Sequence, residues 1–183
     1  MDILKKESAG RVLDTTTFVL SAETPDRVGD IVVQRGIDLS NFKNNPVALV
    51  QHDRSSFPVG VWKNLRISGD ATLGDLQLAN IGTSRTADLA RSLIDQGILR
   101  AVSVSFKPIE SVPLNPRGYK YIKSELLEVS LVSVPMHPRA VIVAKSLNMT
   151  DEEIKEFFIV EPAGSTDDIN KAAQEQSLRY EAA

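Results

Sequence analysis

A chain of 183 residues, 42% apolar and 25% charged, suits one soluble globular domain with a tail and is too short for two full domains. Twenty-one basic against 24 acidic side chains leave a net charge of −3, which offers no electrostatic footprint for nucleic acid or an anionic membrane. The absence of cysteine excludes disulfides, thiolate metal sites and a cysteine nucleophile, and no apolar run is long enough to cross a bilayer.

The opening Met1-Asp2-Ile3-Leu4-Lys5-Lys6 lacks the apolar core and cleavage site of a signal peptide. Thr15 to Ser21 is β-branched and predicts a strand. A turn follows from Thr24-Pro25-Asp26 to Gly29-Asp30, then a short apolar strand at Ile31 to Val33. Residues 39–45 predict a turn or a single helical turn, stopped by Pro46. Val47 to Gln51 predicts a buried strand with His52-Asp53 at its end. Val59 to Ile67 and Ala71 to Ala79 predict a hairpin about Ser68-Gly69-Asp70. Ala87, Ala90, Leu93 and Ile94 recur at helical spacing, with Thr83 or Ser84 as cap and Gly97 as stop.

Ile98 to Pro108 alternates cleanly: Val102, Val104 and Phe106 face one way, Ala101, Ser103 and Ser105 the other. Asn115-Pro116-Arg117-Gly118 is a loop tip, Tyr119 to Lys123 continues from it, and Glu125 to Val134 is a long apolar strand ended by Pro135. Thr150-Asp151-Glu152-Glu153 is a capping box that opens a short helix through Phe158. From Pro162 the chain is polar and predicts a flexible tail. Short strands separated by turns point to a closed barrel or a sandwich rather than a parallel βαβ sheet. The domain reading is therefore a β-barrel over residues 1–145 and a short helix with a polar tail over 146–183.

Only two histidines are available for base chemistry. His52, at a strand end, is either aimed into a cleft or half-buried on a backbone carbonyl. His137, between Pro135-Met136 and Pro138, predicts a surface loop. Ser103 and Ser105 share a face of an otherwise apolar strand, either as a rigidly held nucleophile or as the wet side of a sheet. Alternation puts Glu128 on a face with Leu126, Ser130, Val132 and Val134. A carboxylate there is costly unless paired. It either orients a histidine or bridges to Lys120 or Lys123. Ser, His and Glu from three strands match the logic of a base that takes a serine proton while a carboxylate fixes its tautomer. No GxGxxG, Walker or GxSxG pattern is present, and neither a cofactor nor a metal is indicated. Phe57 and Trp62 are expected in the core.

Four ordered blocks carry a family resemblance. They are Asp26-Arg27-Val28-Gly29-Asp30-Ile31-Val32 with Gly36 to Phe42, Asn45-Pro46-Val47 to His52-Asp53 with Pro58-Val59-Gly60, Gly97 to Pro108, and Glu125 to Pro135 ending in Pro138-Arg139-Ala140. Over about residues 14–145 the chain resembles the prohead proteases of tailed bacteriophages, which are related to the herpesvirus maturational proteases, the assemblins. The resemblance implies a mainly β (α+β) fold, a closed antiparallel, herpesvirus-protease-like β-barrel flanked by a few helices. It implies a serine endopeptidase acting inside the assembling procapsid in the host cytoplasm. Its substrate would be the scaffold protein or the scaffold segment of the major capsid protein, and the enzyme itself. It matches His52 to the base, Ser103 to the nucleophile of the S-[IV]-G-F pattern, and Glu128 to the acidic member. Ser105 stands where that pattern has glycine and is a rival nucleophile. A homodimer is plausible from the herpesvirus branch; nucleic acid and membrane are not expected partners. The rival reading is a catalytically inactive capsid-assembly protein on the same barrel.

Overall fold

The computed structural model describes residues 15–145. The capping box at Thr150, the polar tail and the domain boundary at 145/146 lie outside the described residues or at their edge. The elements in chain order are β1 (Thr15–Ala22), β2 (Ile31–Val32), a 3-10 turn (Gln34–Gly36), β3 (Ile37–Asp38), α1 (Ser40–Asn44), β4 (Val47–Val50), β5 (Gly60–Ser68), β6 (Ala71–Leu78), α2 (Arg85–Asp95), β7 (Ala101–Pro113), β8 (Tyr119–Val132) and β9 (Ile142–Lys145).

One curled sheet contains all the strands of the described residues, in the order β2-β8-β4-β5-β6-β1-β9, with β3 and β7 also paired to β8. Its organising member is β8. Along one edge β8 takes β7 antiparallel, from Ala101 opposite Val132 to Pro113 opposite Tyr119. Along its other edge it takes β2, β3 and β4 in succession, all parallel, at Lys120, Ser124 and Val129. The sheet is therefore mixed, not antiparallel throughout. Tyr119 to Lys123 and Glu125 to Val132 form a single strand rather than two, because β7 pairs along its length; the strand stops two residues short of the expected Val134.

The barrel expected from the sequence is not closed. Among the described residues, β7 meets the chain just before β9 at an isolated bridge between Ala101 and Val141. Flanking it, Val102 N donates to Ala140 O at 3.0 Å and Ile142 N to Arg100 O at 2.8 Å. Beyond that point the chain approaching β9 runs through Pro135 and Pro138, which lack the N–H a strand partner needs. From Ser103 onward, β7 has no strand partner among the described residues on the side away from β8.

The concave face of the sheet holds the core. Phe18 and Trp62 meet edge to face, with centroids 5.6 Å apart and planes at 86°. Trp62 is buried, and its indole N–H donates to Val129 O at 3.3 Å, which satisfies the one polar atom that burial would otherwise orphan. Helix α2 closes over this face with Ala87, Ala90 and Ile94, three of the four positions the helical spacing singles out, while Leu93 is half-buried. Ser84 is its cap: its hydroxyl accepts from Ala87 N at 3.4 Å. Phe57, in contrast, is 96% exposed on the loop after β4. An aromatic side chain alone does not determine burial in a segment with no regular periodicity.

Candidate active site

Three strands bring the sequence-predicted residues to one end of β8. On β8, Glu128 lies opposite Ser105 of β7, and Ser130 opposite Ser103. Directly opposed residues of an antiparallel pair share a face, so these four polar side chains form one cluster. A register shift falls between Ser105 and Phe106, where Phe106 pairs with Leu126 and Ser105 with Glu128, leaving Leu127 bulged out at 44% exposure. The bulge returns Leu126 to the core with Val129 and Leu131. Leu126 therefore does not share Glu128's face, as simple alternation across the bulge would have it.

His52 enters from β4, whose parallel register on β8 sets Leu49 beside Ser130 and Val50 beside Leu131. Gln51 and His52 then adopt left-handed backbone, φ 53° and 59°. Each such non-glycine residue costs about 1–2 kcal/mol, and strain of this kind concentrates at functional sites. The turn is held by Gln51 N on Leu131 O at 2.9 Å and Asp53 N on Val50 O at 3.0 Å. It brings the imidazole back over β8, where Nδ1 lies 2.5 Å from Glu128 Oε1.

Glu128 is the anchor of the cluster. Ser105 Oγ donates to its Oε1 at 2.6 Å, and Ser130 Oγ donates to its Oε2 at 2.7 Å. Ser130 Oγ also accepts from the His52 backbone N–H at 3.1 Å, so one hydroxyl ties the carboxylate to the turn that carries the base. Burial pushes the Glu128 carboxyl upward. The hydrogen bonds from Ser105, His52 and Ser130, with the His52 charge, outweigh burial and hold it below its ordinary value. Among the described residues the ion-pair partner of Glu128 is His52 rather than Lys120 or Lys123, and Lys123 pairs with Glu110 at 2.8 Å. Ser130 is the residue whose role sequence reasoning missed. Alternation places it on Glu128's face, but nothing in the sequence announces its contact with the backbone of residue 52.

The two candidate serines occupy different positions. Ser105 touches the Nδ1 side of the imidazole, 3.4 Å from Nδ1, together with the carboxylate. Ser103 is 7% exposed and is not hydrogen-bonded to His52; among the described residues its hydroxyl has no hydrogen-bond partner. The structure thus joins His52, Glu128, Ser105 and Ser130 by hydrogen bonds, and sets Ser103 on the same face, one pleat further along β7 and buried rather than wet. His52 Nε2 is also without a partner among the described residues, on a side chain that is 39% exposed.

Neither of the remaining titratable neighbours competes for the base or acid role. Asp53 accepts from Ser55 N at 2.9 Å, from Ser55 Oγ at 2.5 Å and from Ser56 Oγ, and these bonds hold its carboxyl at about 2. It organises its own loop. His137 is half-buried rather than a surface side chain. Its Nε2 meets Thr24 O at 3.0 Å and its Nδ1 accepts from Arg139 N at 3.1 Å, so both nitrogens are occupied. Burial, joined by the Arg139 and Arg27 charges, depresses its pKa against the opposing pull of the Thr24 carbonyl and Asp26. A ring pinned in this way cannot accept a serine proton.

Among the described residues no group of three or more histidine or acidic side chains could hold a metal ion, and no helix is long and apolar enough to cross a membrane. A family model described as caudovirus prohead serine protease matches residues 5–153. Neither the curated proteins nor the solved structures contain a match.

Proposed function

Because the chain belongs to the caudovirus prohead serine protease family, we propose that it is a capsid-maturation endopeptidase using Ser103, His52 and Glu128. The observation that carries this reading is the 2.5 Å contact between His52 Nδ1 and Glu128 Oε1. A carboxylate on Nδ1 fixes the tautomer that leaves Nε2 as the acceptor, and it stabilises the imidazolium that forms when Nε2 takes the serine proton.

The nucleophile must then lie on the Nε2 side. Ser105 is on the Nδ1 side and already donates to Glu128, so it acts as a positioning residue. Ser103 has the buried, unengaged hydroxyl and stands first in the S-V-S-F run. Its hydrogen bond to Nε2 is made on substrate binding, as catalytic hydrogen bonds often tighten only in the complex. In the reaction Ser103 Oγ attacks the scissile carbonyl while His52 Nε2 takes its proton. The imidazolium returns that proton to the leaving amine, and water hydrolyses the acyl-enzyme by the same route. Because Val102 N–H points away from β8 toward Ala140, strand alternation turns the Val104 N–H to the same open edge. That amide, next in sequence to Ser103, is suited to receive the developing oxyanion.

The proposed substrates are the scaffold protein or the scaffold segment of the major capsid protein, and the chain itself, within the procapsid of an infected cell. The herpesvirus-protease likeness of the fold belongs to the same proposal and rests on the sequence resemblance. The test is intact-mass and peptide mapping after treatment with a fluorophosphonate probe. A single adduct on Ser103 that disappears in His52→Ala supports the reading. The 3.4 Å contact of Ser105 with the imidazole favours a second reading, in which Ser105 attacks; an adduct there would establish it. No adduct at high protein concentration would favour an inactive assembly protein.

A further inference from the structure

The stretch from Pro135 to Val141 belongs to no named strand, yet it borders β7 one residue before Ser103. Val102 N donates to Ala140 O at 3.0 Å, and Ala140 is buried. Ala140 N in turn donates to His137 O at 3.0 Å, and Val141 N to Arg139 O at 2.9 Å, which folds residues 137–141 into a tight turn. Pro138 inside that turn has no N–H to give. The His137 side chain supplies a further bond: its Nδ1 accepts from Arg139 N at 3.1 Å. This is the spacing of an Asx turn, with an imidazole nitrogen in place of a side-chain oxygen.

The other side of the ring is tied to a distant part of the chain. Because Nδ1 accepts, the ring proton is on Nε2, which donates to Thr24 O at 3.0 Å and lies 3.1 Å from Thr24 Oγ1. Arg27 adds bonds from the same 23–30 loop, from its N to Met136 O at 3.3 Å and from its guanidinium to Pro135 O. These stop at residue 136; His137 carries the tie into the turn that meets β7. Its bonds also depend on where a proton is, since a second ring proton would set Nδ1–H against Arg139 N–H. The charged groups that face the ring are Asp26 and Arg27 from the 23–30 loop and Arg139 from its own turn. Burial, with the two arginines, outweighs the pull of Thr24 and Asp26 and favours the neutral ring.

We infer that His137 is a positioning residue for the Ser103 reaction. As the neutral Nε2–H tautomer it fastens the 137–140 turn to the 23–30 loop, and through Ala140 O it fixes the Val102 amide, so that Ser103 and the Val104 N–H keep their places at the open edge of β7. It acts through the backbone and transfers no proton. This inference rests on the protease reading with Ser103 as nucleophile and adds to that site a residue outside Ser103, His52 and Glu128.

The test measures the rate of fluorophosphonate labelling of the full chain across the acid and neutral range, at a temperature well below each variant's unfolding midpoint. His137→Leu removes both ring bonds and should label about ten-fold or more slowly. His137→Asn offers an oxygen near the place of Nδ1, so it can accept the Arg139 amide, and should recover most of the rate at neutral pH. Asparagine does not titrate. Below about pH 6 the wild-type rate should therefore fall more steeply with acid than the His137→Asn rate, because the base is protonated in both chains but the clamp only in the wild type. A role in packing alone would give both chains the same slope. Wild-type labelling by His137→Leu, or parallel acid limbs in the wild type and His137→Asn, overturns the inference and leaves the protease reading intact. Should His137→Leu not fold, the comparison of acid limbs decides. Absence of labelling in the wild type at every pH removes the protease reading, and this inference with it.

Discussion

Ser105 donates to Glu128 Oε1 from 2.6 Å, onto the same oxygen that His52 Nδ1 meets at 2.5 Å. The serine and the imidazole therefore flank one carboxylate oxygen. Ser105 also lies 3.4 Å from the imidazole Nδ1, so it meets both the carboxylate and the ring on that side.

Loss of this hydroxyl should weaken catalysis without ending it. A hydrogen bond to a charged group contributes about 1.5–3 kcal/mol, so Ser105→Ala should lower kcat roughly ten- to a hundred-fold. The fluorophosphonate adduct should stay on Ser103, with a slower labelling rate. Complete loss of labelling in Ser105→Ala would contradict a positioning role.

Ser103→Ala and His52→Ala should each lose activity by on the order of 10⁴–10⁶, and the double variant should be no worse than the singles, because nucleophile and base act as one unit. Glu128→Gln should be milder, since a neutral amide can still meet Nδ1 but no longer balances the imidazolium. Scaffold or peptide cleavage rates for the four variants check this, and near-native turnover by either Ser103→Ala or His52→Ala would sink the assignment.

Ser130→Ala should reveal its double attachment. The change removes a donor from Glu128 Oε2 and the acceptor for the His52 N–H, leaving that strained turn less well held. Activity should fall about ten-fold or more, and Ser130→Thr, which keeps the hydroxyl, should recover part of it. A shared defect in Ser130→Ala and Ser130→Thr would point to packing instead.

The Glu128 carboxyl also predicts a pH dependence of stability. Its pKa is depressed in the folded chain, so the unfolded chain binds more protons through that interval and stability rises with pH. The contribution is fully present above the ordinary glutamate pKa and disappears as pH falls through the depressed folded value. Urea midpoints measured between about pH 3 and 6 should therefore climb with pH in the wild type and climb less in Glu128→Gln. Identical slopes would mean that Glu128 is not held down in the folded state.

Much of the local structure is legible from residue pattern alone. Ala87, Ala90 and Ile94 recur with the period of a helix and are buried by it. Gly69-Asp70 closes the β5–β6 hairpin as the turn residues demand. His52 and the two serines of β7 stand out because polar groups at the end of, or within, apolar strands require a reason. Periodicity and turn chemistry act over a few residues, so a few residues suffice to read them.

What the tertiary structure alone decided has longer range. β8 selects three parallel partners on one edge, and the two prolines before β9 leave the barrel open beside Ser103. The bulge at Leu127 moves Leu126 to the core and leaves Glu128 among hydroxyls. Ser130 reaches the backbone of residue 52 across 78 positions of sequence, and His137 is pinned by Thr24 across 113. A period-two pattern carries neither the partner of a strand nor its register. Those follow from packing the whole chain at once, and they determine which serine lies beside the carboxylate and which hydroxyl, among the described residues, is left without a hydrogen-bond partner.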